Sequence, residues 1–258
     1  MSYIHLSYLC NAHNAQANPN EVAYEQARKR LLPPFDSNAT SSSKVYNAQQ
    51  FFDEAAWNKV SRIVEKVIDL KTCGKIPDLM TGLLGKKSNH RQESILMLFQ
   101  SIGDDYTKSG SKYRLKVTFL LFLALKFHHR VSRNRGIIDG SSLDECIGSI
   151  HIPYEIGAAF FESFTTPRDG GGGGYIASKI QRDKLHTYML IMYIIASGKE
   201  MRVTSLNQLC KEMKLDGKDA SAVLREAGFV VKKNGVGDFG ASLSVPLKFP
   251  PPKRGKRT

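Results

Sequence analysis

Apolar residues recur every three or four positions through most of the chain, which is the spacing of amphipathic helices. Tyr113–Val131 is apolar nearly all round in its middle, so we expect other elements to cover it on most sides. Its apolar run Val117–Leu125, like Tyr188–Ala196, is shorter than the roughly 18 residues that a membrane span needs. The chain is therefore predicted to be mainly α-helical and not to enter a membrane. The predicted helices up to Gly198 are Glu21–Leu32, Asn47–Trp57, Lys59–Leu70, Ile76–Leu84, His90–Ile102, Tyr113–Val131, two short helices within Leu143–Thr165, and Lys179–Ser197.

The last part of the chain combines helices with a hairpin. Ser205–Met213 is a predicted helix with Ser205 as its N-cap, and Lys218–Ala227 is a third helix that Gly228 ends. Two strands follow, Phe229–Lys233 and Ala241–Leu247, with a glycine-rich turn between them. A helix, a helix-turn-helix and a two-stranded hairpin form the winged-helix arrangement, in which the third helix is the candidate for the major groove.

Glycine, proline and serine clusters suggest the domain boundaries. The run Gly170–Gly174 lacks the Gly-Lys-Ser/Thr ending of a phosphate-binding loop, so we interpret it as a linker between two domains. The predicted order is an extended arm (residues 1–44), a first helical domain (45–168), the glycine-rich linker (169–176), the winged helix (177–247) and a basic tail (248–258).

Charge indicates what such a protein binds. Lysine and arginine total 37 against 24 acidic residues, a net charge of +13, which attracts phosphates over a long range. No acidic residue lies between Asp105 and Asp139, where a solvated face and a phosphate-binding surface are equally good interpretations. The cations of that stretch are Lys108, Lys112, Arg114, Lys116, Lys126, Arg130, Arg133 and Arg135.

The winged helix adds further cations. Lys218, Ser221, Ala222 and Arg225 share one stripe of the third helix, but Asp219 and Glu226 flank it, so we do not expect strong base readout. A protein–protein role for this helix is the alternative. The hairpin contributes Lys232 and Lys233. The tail, which includes Lys253 and Arg254, fits a nuclear import signal, a phosphate-binding tail or both.

No pattern of a catalytic or metal site is evident. His128 and His129 are adjacent and would point about 100° apart on a helix, so they do not share a ligand easily. The cysteines are scattered and predict small buried side chains in a reducing compartment. We therefore expect a non-catalytic protein without a metal or another cofactor.

Three segments of the chain are informative together. They are Leu31–Phe35 followed by Val45-Tyr46 and Phe52–Glu54, then Lys126–Val131, and finally Leu243–Leu247 with its proline-rich step and basic end. Together they resemble the 49-kilodalton-type subunit of RNA polymerase I, also called the polymerase I associated-factor family. Their order and spacing agree with the family over residues 20 to 258.

The resemblance implies a linker and tandem winged helices, so the first domain is also expected to be winged-helix-like. It implies a nuclear and nucleolar subunit that contacts the polymerase I core subunits, binds double-stranded and also single-stranded DNA, and supports initiation and elongation of ribosomal RNA synthesis. It assigns Arg28–Val45 to a polymerase-facing linker and Arg130, Lys218, Arg225, Lys232 and Lys233 to the DNA side. The basic stretch and the tail add the other predicted DNA-side cations. The linker residues are Leu32, Pro33, Pro34, Phe35, Val45 and Tyr46; the DNA-side residues are Lys112, Arg114, Lys116, Arg130, Arg133, Arg135, Lys218, Arg225, Lys232, Lys233, Lys253 and Arg254.

One departure from the family concerns its N-terminal β-barrel, which dimerises with a partner subunit. We expect no room for it in 258 residues, so that module is truncated, lost or encoded separately, and the dimerisation partner is in doubt. The alternative function is a free-standing winged-helix factor of chromatin or ribosome assembly that binds nucleic acid or protein.

Overall fold

The elements before residue 103 are helical. A computed structural model describes residues 19–69, 92–102, 108–168, 173–198, 200–235 and 238–250. The prediction of a helix at Asn47–Trp57 is wrong, because Asp53 Oδ1 accepts from Ala56 N at 2.8 Å and starts α3 only at Glu54. The predicted helix Ile76–Leu84 lies outside the described residues. The first helices are α1 (Pro19–Leu31), α2 (Ser42–Val45), α3 (Glu54–Asp69) and α4 (Glu93–Ile102), with a 3-10 turn at Ala48–Gln50 between α2 and α3.

Residues 109–176, here called the first unit, combine three helices with a small sheet. The strands are antiparallel in the order β1-β3-β2, so that the last strand lies in the middle. The sequence predicts the three helices, but it does not predict the strands. The elements are α5 (Ser109–Arg133), β1 (Ile137–Ile138), α6 (Leu143–Ile150), α7 (Tyr154–Phe164), β2 (Thr166–Pro167) and β3 (Tyr175–Ile176).

The glycine run connects two strands of this sheet. Tyr175 and Ile176 belonged to the predicted linker of residues 169–176, yet they form β3 and pair with both β1 and β2. Arg168 N donates to the carbonyl oxygen of Gly174 at 3.1 Å, which closes the connection. Gly174 has a φ of 91°, and a Cβ there would collide with the carbonyl oxygen of Ile138. The glycine is needed because the chain turns tightly against β1.

Residues 179–243, here called the second unit, repeat the same order of elements. The strand order β4-β6-β5 again places the last strand in the middle. The predicted bounds of α8 and β5 are confirmed, and Gly228 follows α10 with a φ of 84°, as a C-capping glycine does. The elements are α8 (Lys179–Ser197), β4 (Arg202–Val203), α9 (Asn207–Met213), α10 (Gly217–Glu226), β5 (Phe229–Lys233) and β6 (Phe239–Leu243).

Two predicted boundaries in the second unit are wrong for one reason. Ser205 Oγ donates to Asp238 Oδ1 at 2.9 Å, so it ties α9 to the hairpin, and the helix begins two residues later, at Asn207. The hairpin itself pairs Lys233 with Phe239, so β6 runs over Phe239–Leu243 and not over Ala241–Leu247. Both boundaries depend on contacts made by the hairpin, of Asp238 with Ser205 and of Phe239 with Lys233, that a local pattern does not contain.

The first helices of the two units pack against each other and join the units in a continuous apolar core. Residues 117–125 of α5 are all buried, as are residues 187–196 of α8. This confirms the prediction that the apolar middle of the long helix is covered on most sides. None of the helices in the described ranges combines the length and apolarity that crossing a membrane requires.

Candidate nucleic-acid interface

α10 exposes the stripe that the sequence predicts. Lys218, Ala222 and Arg225 are exposed along one side of the helix. Asp219 is exposed as well, and Glu226 is half-buried. Lys218 and Arg225 are two turns apart, about 10 Å along the helix axis. With small side chains between the cations and carboxylates beside them, this stripe suits contact with a phosphate backbone better than base recognition.

The hairpin of the second unit meets the beginning of α10. Gly217 lies so close to Phe239 that a Cβ on the glycine would be 3.4 Å from the ring. Phe239 pairs with Lys233 across the hairpin, and both Lys232 and Lys233 are exposed. Because side chains alternate along a strand, the two lysines project from opposite faces of the hairpin. Lys218 and Lys233 therefore lie at the same end of the second unit.

The sheet of the second unit has one buried and one open face. Val203, Phe229 and Leu243 point into the core. Across the open face runs a groove of about 200 Å³ that contains two cations and no carboxylate. Arg202 is the cation that the sequence does not predict as a site residue, since only the pairing of β4 and β5 with β6 places it in the same groove as Lys232. The polar side chains of the groove belong to Arg202, Thr204, Lys232, Asn234 and Ser242.

The predicted cations of the first domain do not form one surface. Lys112 is exposed near the beginning of α5, and Arg133 is exposed at its end, about 32 Å away along the axis. Lys116 is turned toward α3, where its Nζ lies 3.2 Å from Glu65 Oε1. Arg130 is half-buried, and Arg135 is exposed in the turn after the helix. The structure thus leaves exposed cations at both ends of α5 and none in its middle.

Arg114 has a structural role inside the protein. Its Nε donates to the carbonyl oxygen of Ala196 at 2.8 Å, and its Nη2 donates to that of Ser197 at 3.1 Å. The same Nη2 lies 3.0 Å from Ser101 Oγ. Burial lowers the pKa of the guanidinium from its usual value. Arg114 therefore binds the last carbonyl groups of α8, which a helix leaves without intrahelical partners.

The third helix of the first unit differs in charge from α10. α7 contains Glu155 and Glu162 and no lysine or arginine. Its Glu155 Oε1 lies 2.9 Å from Lys59 Nζ, and α3 packs along the helix. The open face of the first sheet is formed by Ile137, Thr166 and Ile176 and carries no charge. Of the two units, the second is the one with cations on both its third helix and the open face of its sheet.

A comparison with family models relates this chain to known proteins. The model of the A49-like RNA polymerase I associated factors matches residues 9–250, which is nearly the whole chain. The chain belongs to this family. No curated protein matches it. Membership places the chain among the proteins associated with RNA polymerase I, and the resemblance seen in the sequence is confirmed.

The predicted linker of this polymerase I associated factor lies against its own second unit. Tyr46 is buried, stacks on Phe229 with ring centroids 6.0 Å apart, and donates its hydroxyl to the carbonyl oxygen of Ala227 at 2.8 Å. Phe35 forms a β-bridge with Tyr46 and an edge contact with Phe249 at 5.3 Å. Leu32, Pro33 and Val45 are also buried, whereas Pro34 is exposed.

α1 contacts Phe249, the ring against which Phe35 also packs, and the adjacent Pro250. The Arg28 guanidinium lies 4.3 Å above the Phe249 ring, and its Nη2 donates to the carbonyl oxygen of Pro250 at 3.0 Å. Of the residues predicted to face the polymerase, Pro34 and the half-buried Phe35 present the most surface. The tail cations Lys253 and Arg254 lie outside the described residues.

Among the described histidines and cysteines of the polymerase I associated factor, His128 is buried and contacts other elements. His128 Nε2 lies 3.0 Å from His186 Nε2 and 3.1 Å from Ser132 Oγ. His129 turns to the other side, where its Nε2 lies 3.3 Å from the carbonyl oxygen of Glu212, as the divergence of adjacent helical residues predicts. Cys146 and Cys210 are buried and free. Within the described residues, no three histidine, cysteine or acidic side chains are grouped to hold a metal.

Proposed function

We propose that this protein is a nuclear, nucleolar and non-catalytic subunit of RNA polymerase I whose two units are winged helices. Each unit orders its elements as helix, strand, helix, helix, strand and strand, with the last strand in the middle of the sheet. That order includes the helix-turn-helix and hairpin by which winged helices contact DNA. The family match supports the link to RNA polymerase I.

We further propose that the second unit makes the main contact with DNA. The observation that carries this is the group of exposed cations where the beginning of α10 meets the hairpin, namely Lys218, Lys232 and Lys233. Arg225 extends it along α10, and Arg202 extends it across the open sheet face. The first unit lacks cations at the equivalent helix and sheet face, so it contributes less.

Binding of this kind is independent of sequence. Phosphate contacts position a protein on a duplex without identifying its bases, and α10 offers two cations with Asp219 beside them. We therefore expect similar affinities for unrelated duplexes. Affinity should fall steeply with salt, with a slope in the double-logarithmic plot of about −0.9 for each neutralised phosphate.

Charge reversal in each unit tests the location. We compare Lys218→Glu/Lys232→Glu/Lys233→Glu with Lys112→Glu/Arg133→Glu/Arg135→Glu in the full chain, measuring fluorescence anisotropy of two unrelated 20-base-pair duplexes over a salt series. Both variants change six units of charge at exposed side chains. The first should reduce the magnitude of the salt slope by about 2 to 3, the amount expected for three lost phosphate contacts. The second should change it by less than about 1.

The matched pair separates local contact from net charge. Equal losses in the two variants would reject the second unit as the main contact. Binding of the unmodified protein that does not depend on salt would reject phosphate contact altogether.

Purification tests the link to the polymerase. The tagged protein, isolated from nuclei, should bring the largest subunits of RNA polymerase I with it in stoichiometric amounts. Their absence would favour the alternative of a free-standing chromatin or ribosome-assembly factor.

A further inference from the structure

A second surface, at the first half of α8, combines an apolar anchor site with cations. It is a cleft of about 700 Å³ between the end of α1, the segment that follows it, and the first half of α8. This volume lies within the range of about 300 to 1,000 Å³ that is usual for binding clefts. We refer to it as the α1–α8 cleft. None of the residues that line it belongs to the DNA contact proposed above.

The cleft presents apolar groups from both walls. Leu32 and Pro33 of the segment after α1 are buried beneath it, and Tyr188 of α8 is buried as well. Ile180 stands at the rim with 67% of its surface exposed, more than Met97 at 54%. An isolated exposed aliphatic side chain is ordinary, but one that continues an apolar cleft indicates a binding surface.

The position of Ile180 is fixed by the start of α8. Ser178 Oγ accepts from Gln181 N at 3.3 Å, and Gln181 Oε1 accepts from Ser178 N at 2.8 Å, which is a capping box. The first turn that holds Ile180 is therefore rigid before any partner arrives. A rigid anchor site reduces the ordering entropy that binding would otherwise cost.

The charged groups of the cleft are all positive. Lys29 and Arg30 are exposed in the last turn of α1, and Lys184 is half-buried on α8. Lys184 Nζ is held 3.3 Å from the carbonyl oxygen of Ser163 and within 5.7 Å of the Phe164 and Tyr188 rings. No carboxylate lines the described walls, and the start of α8 adds the positive end of a helix dipole.

We propose that the α1–α8 cleft binds an acidic segment of a partner protein through an apolar anchor residue. The three cations complement carboxylates, and the apolar walls with Ile180 complement a leucine or phenylalanine side chain of the same segment. Nucleic acid satisfies the cations but offers no aliphatic group for Ile180. Residues 1–18 and 251–258 contain no acidic residue, so neither of these two segments complements the charge of the cleft.

The test uses the full chain and a defined probe. The probe is a fluorescein-labelled peptide, Asp-Glu-Asp-Leu-Phe-Asp-Glu-Asp, and the matched peptide has Gly-Gly in place of Leu-Phe. Fluorescence anisotropy should show saturable binding of the first peptide, with an affinity at least about tenfold higher than that of the second, because burying two apolar side chains contributes that much or more. Absence of saturable binding, or equal affinities, would overturn the proposal.

Variants locate the peptide on the protein. Ile180→Ser should weaken binding about tenfold, while Met97→Ser, a change at another exposed apolar residue outside the cleft, should leave it unchanged. Lys29→Glu/Arg30→Glu should weaken it by at least tenfold at low salt, whereas Lys44→Glu/Lys66→Glu, also at exposed lysines, should not. Equal effects within either pair would overturn the assignment to the cleft.

Competition distinguishes the other occupants. A 20-base-pair duplex that displaces the peptide, together with an inert Ile180→Ser, would make the cleft a nucleic-acid surface. Displacement by a synthetic peptide of residues 1–18 would make it a site for the protein's own N-terminal segment. The DNA-side variant Lys218→Glu/Lys232→Glu/Lys233→Glu should bind the acidic peptide normally, so that failure of the DNA proposal and failure of this one give different results.

Discussion

At the scale of single residues, basic side chains of one helix have different roles, and Arg114 of α5 has a structural one. Arg114 connects the end of α8 to α5, so its loss should leave the carbonyl groups of Ala196 and Ser197 without their donor. We predict that Arg114→Met lowers the free energy of unfolding by about 2 kcal/mol, the usual contribution of hydrogen bonds from a charged group. Urea unfolding followed by circular dichroism measures this.

A neighbouring cation provides the control. Lys112 is exposed on the same helix, so Lys112→Met should change the free energy of unfolding by no more than about 0.5 kcal/mol. At temperatures where Arg114→Met is folded, it should bind DNA like the unmodified protein. Loss of DNA affinity in an Arg114→Met variant of unchanged stability would mean that Arg114 contacts DNA.

These cations also show what the sequence can predict about the site. The basic stretch from Lys108 to Arg135 is visible in the sequence, but Lys116 and Arg114 are engaged by α3 and α8, which are distant in the chain. Lys218, Lys232 and Lys233 are exposed as predicted, because a short helix and a hairpin show their outward faces in local periodicity. Arg202 is not predicted because only the pairing of β4 and β5 with β6 places it in the same groove as Lys232.

At the scale of elements, length determines how well the sequence predicts the fold. α8 and β5 have their predicted bounds because several turns or alternations repeat the same pattern. β1, β2 and β3 contain two residues each, too few to show any alternation, so the glycine run between β2 and β3 looks like a linker from sequence alone. Local periodicity therefore does not show that the two units repeat one topology, which the sequence predicts only through the family resemblance.

The predicted linker, from Leu32 to Tyr46, is the segment whose packing the sequence predicts least, and a single hydroxyl group tests it. Tyr46→Phe removes the hydrogen bond to the carbonyl oxygen of Ala227, a buried acceptor at the end of α10. We predict a loss of about 1 to 2 kcal/mol in the free energy of unfolding, because the acceptor stays buried without a partner. Tyr154→Phe, at an exposed tyrosine, should have no measurable effect. Equal stability of Tyr46→Phe and the unmodified protein would mean that the predicted linker does not pack against α10 and β5 in solution.

At the scale of the whole molecule, α5 and α8 join the two units, and a histidine pair lies in their contact. His128 of α5 and His186 of α8 face each other through their Nε2 atoms. Burial, followed by the positive charges around it, lowers the pKa of His128 to about 3, and burial also lowers the pKa of His186. Both imidazoles are therefore neutral in the folded protein at neutral pH. The ionisable groups around the pair are His129, Arg182, Asp183 and Lys214.

Such a pair makes stability depend on pH in a defined direction. An unfolded histidine binds a proton near pH 6.5, whereas folded His128 does so only near pH 3, so the unfolded chain takes up more protons between these values. The stability that neutral His128 contributes is therefore fully present above pH 6.5 and is lost as the pH falls below it. From pH 7 to pH 5, His128 alone should lower the free energy of unfolding by about 2 kcal/mol.

Replacing the histidine separates this contribution from other acid effects. In His128→Leu the difference in the free energy of unfolding between pH 7 and pH 5 should be smaller by about 2 kcal/mol than in the unmodified protein, whatever the absolute stability of the variant. His151→Asn, at an exposed histidine with a φ of 55° that asparagine also tolerates, should keep the full difference. Because the units share their core at α5 and α8, urea unfolding should show one transition in all three proteins. An unchanged pH difference in His128→Leu would mean that the pair is already solvated in the folded state, and that the contact between the two units is looser than the packing of α5 on α8 indicates.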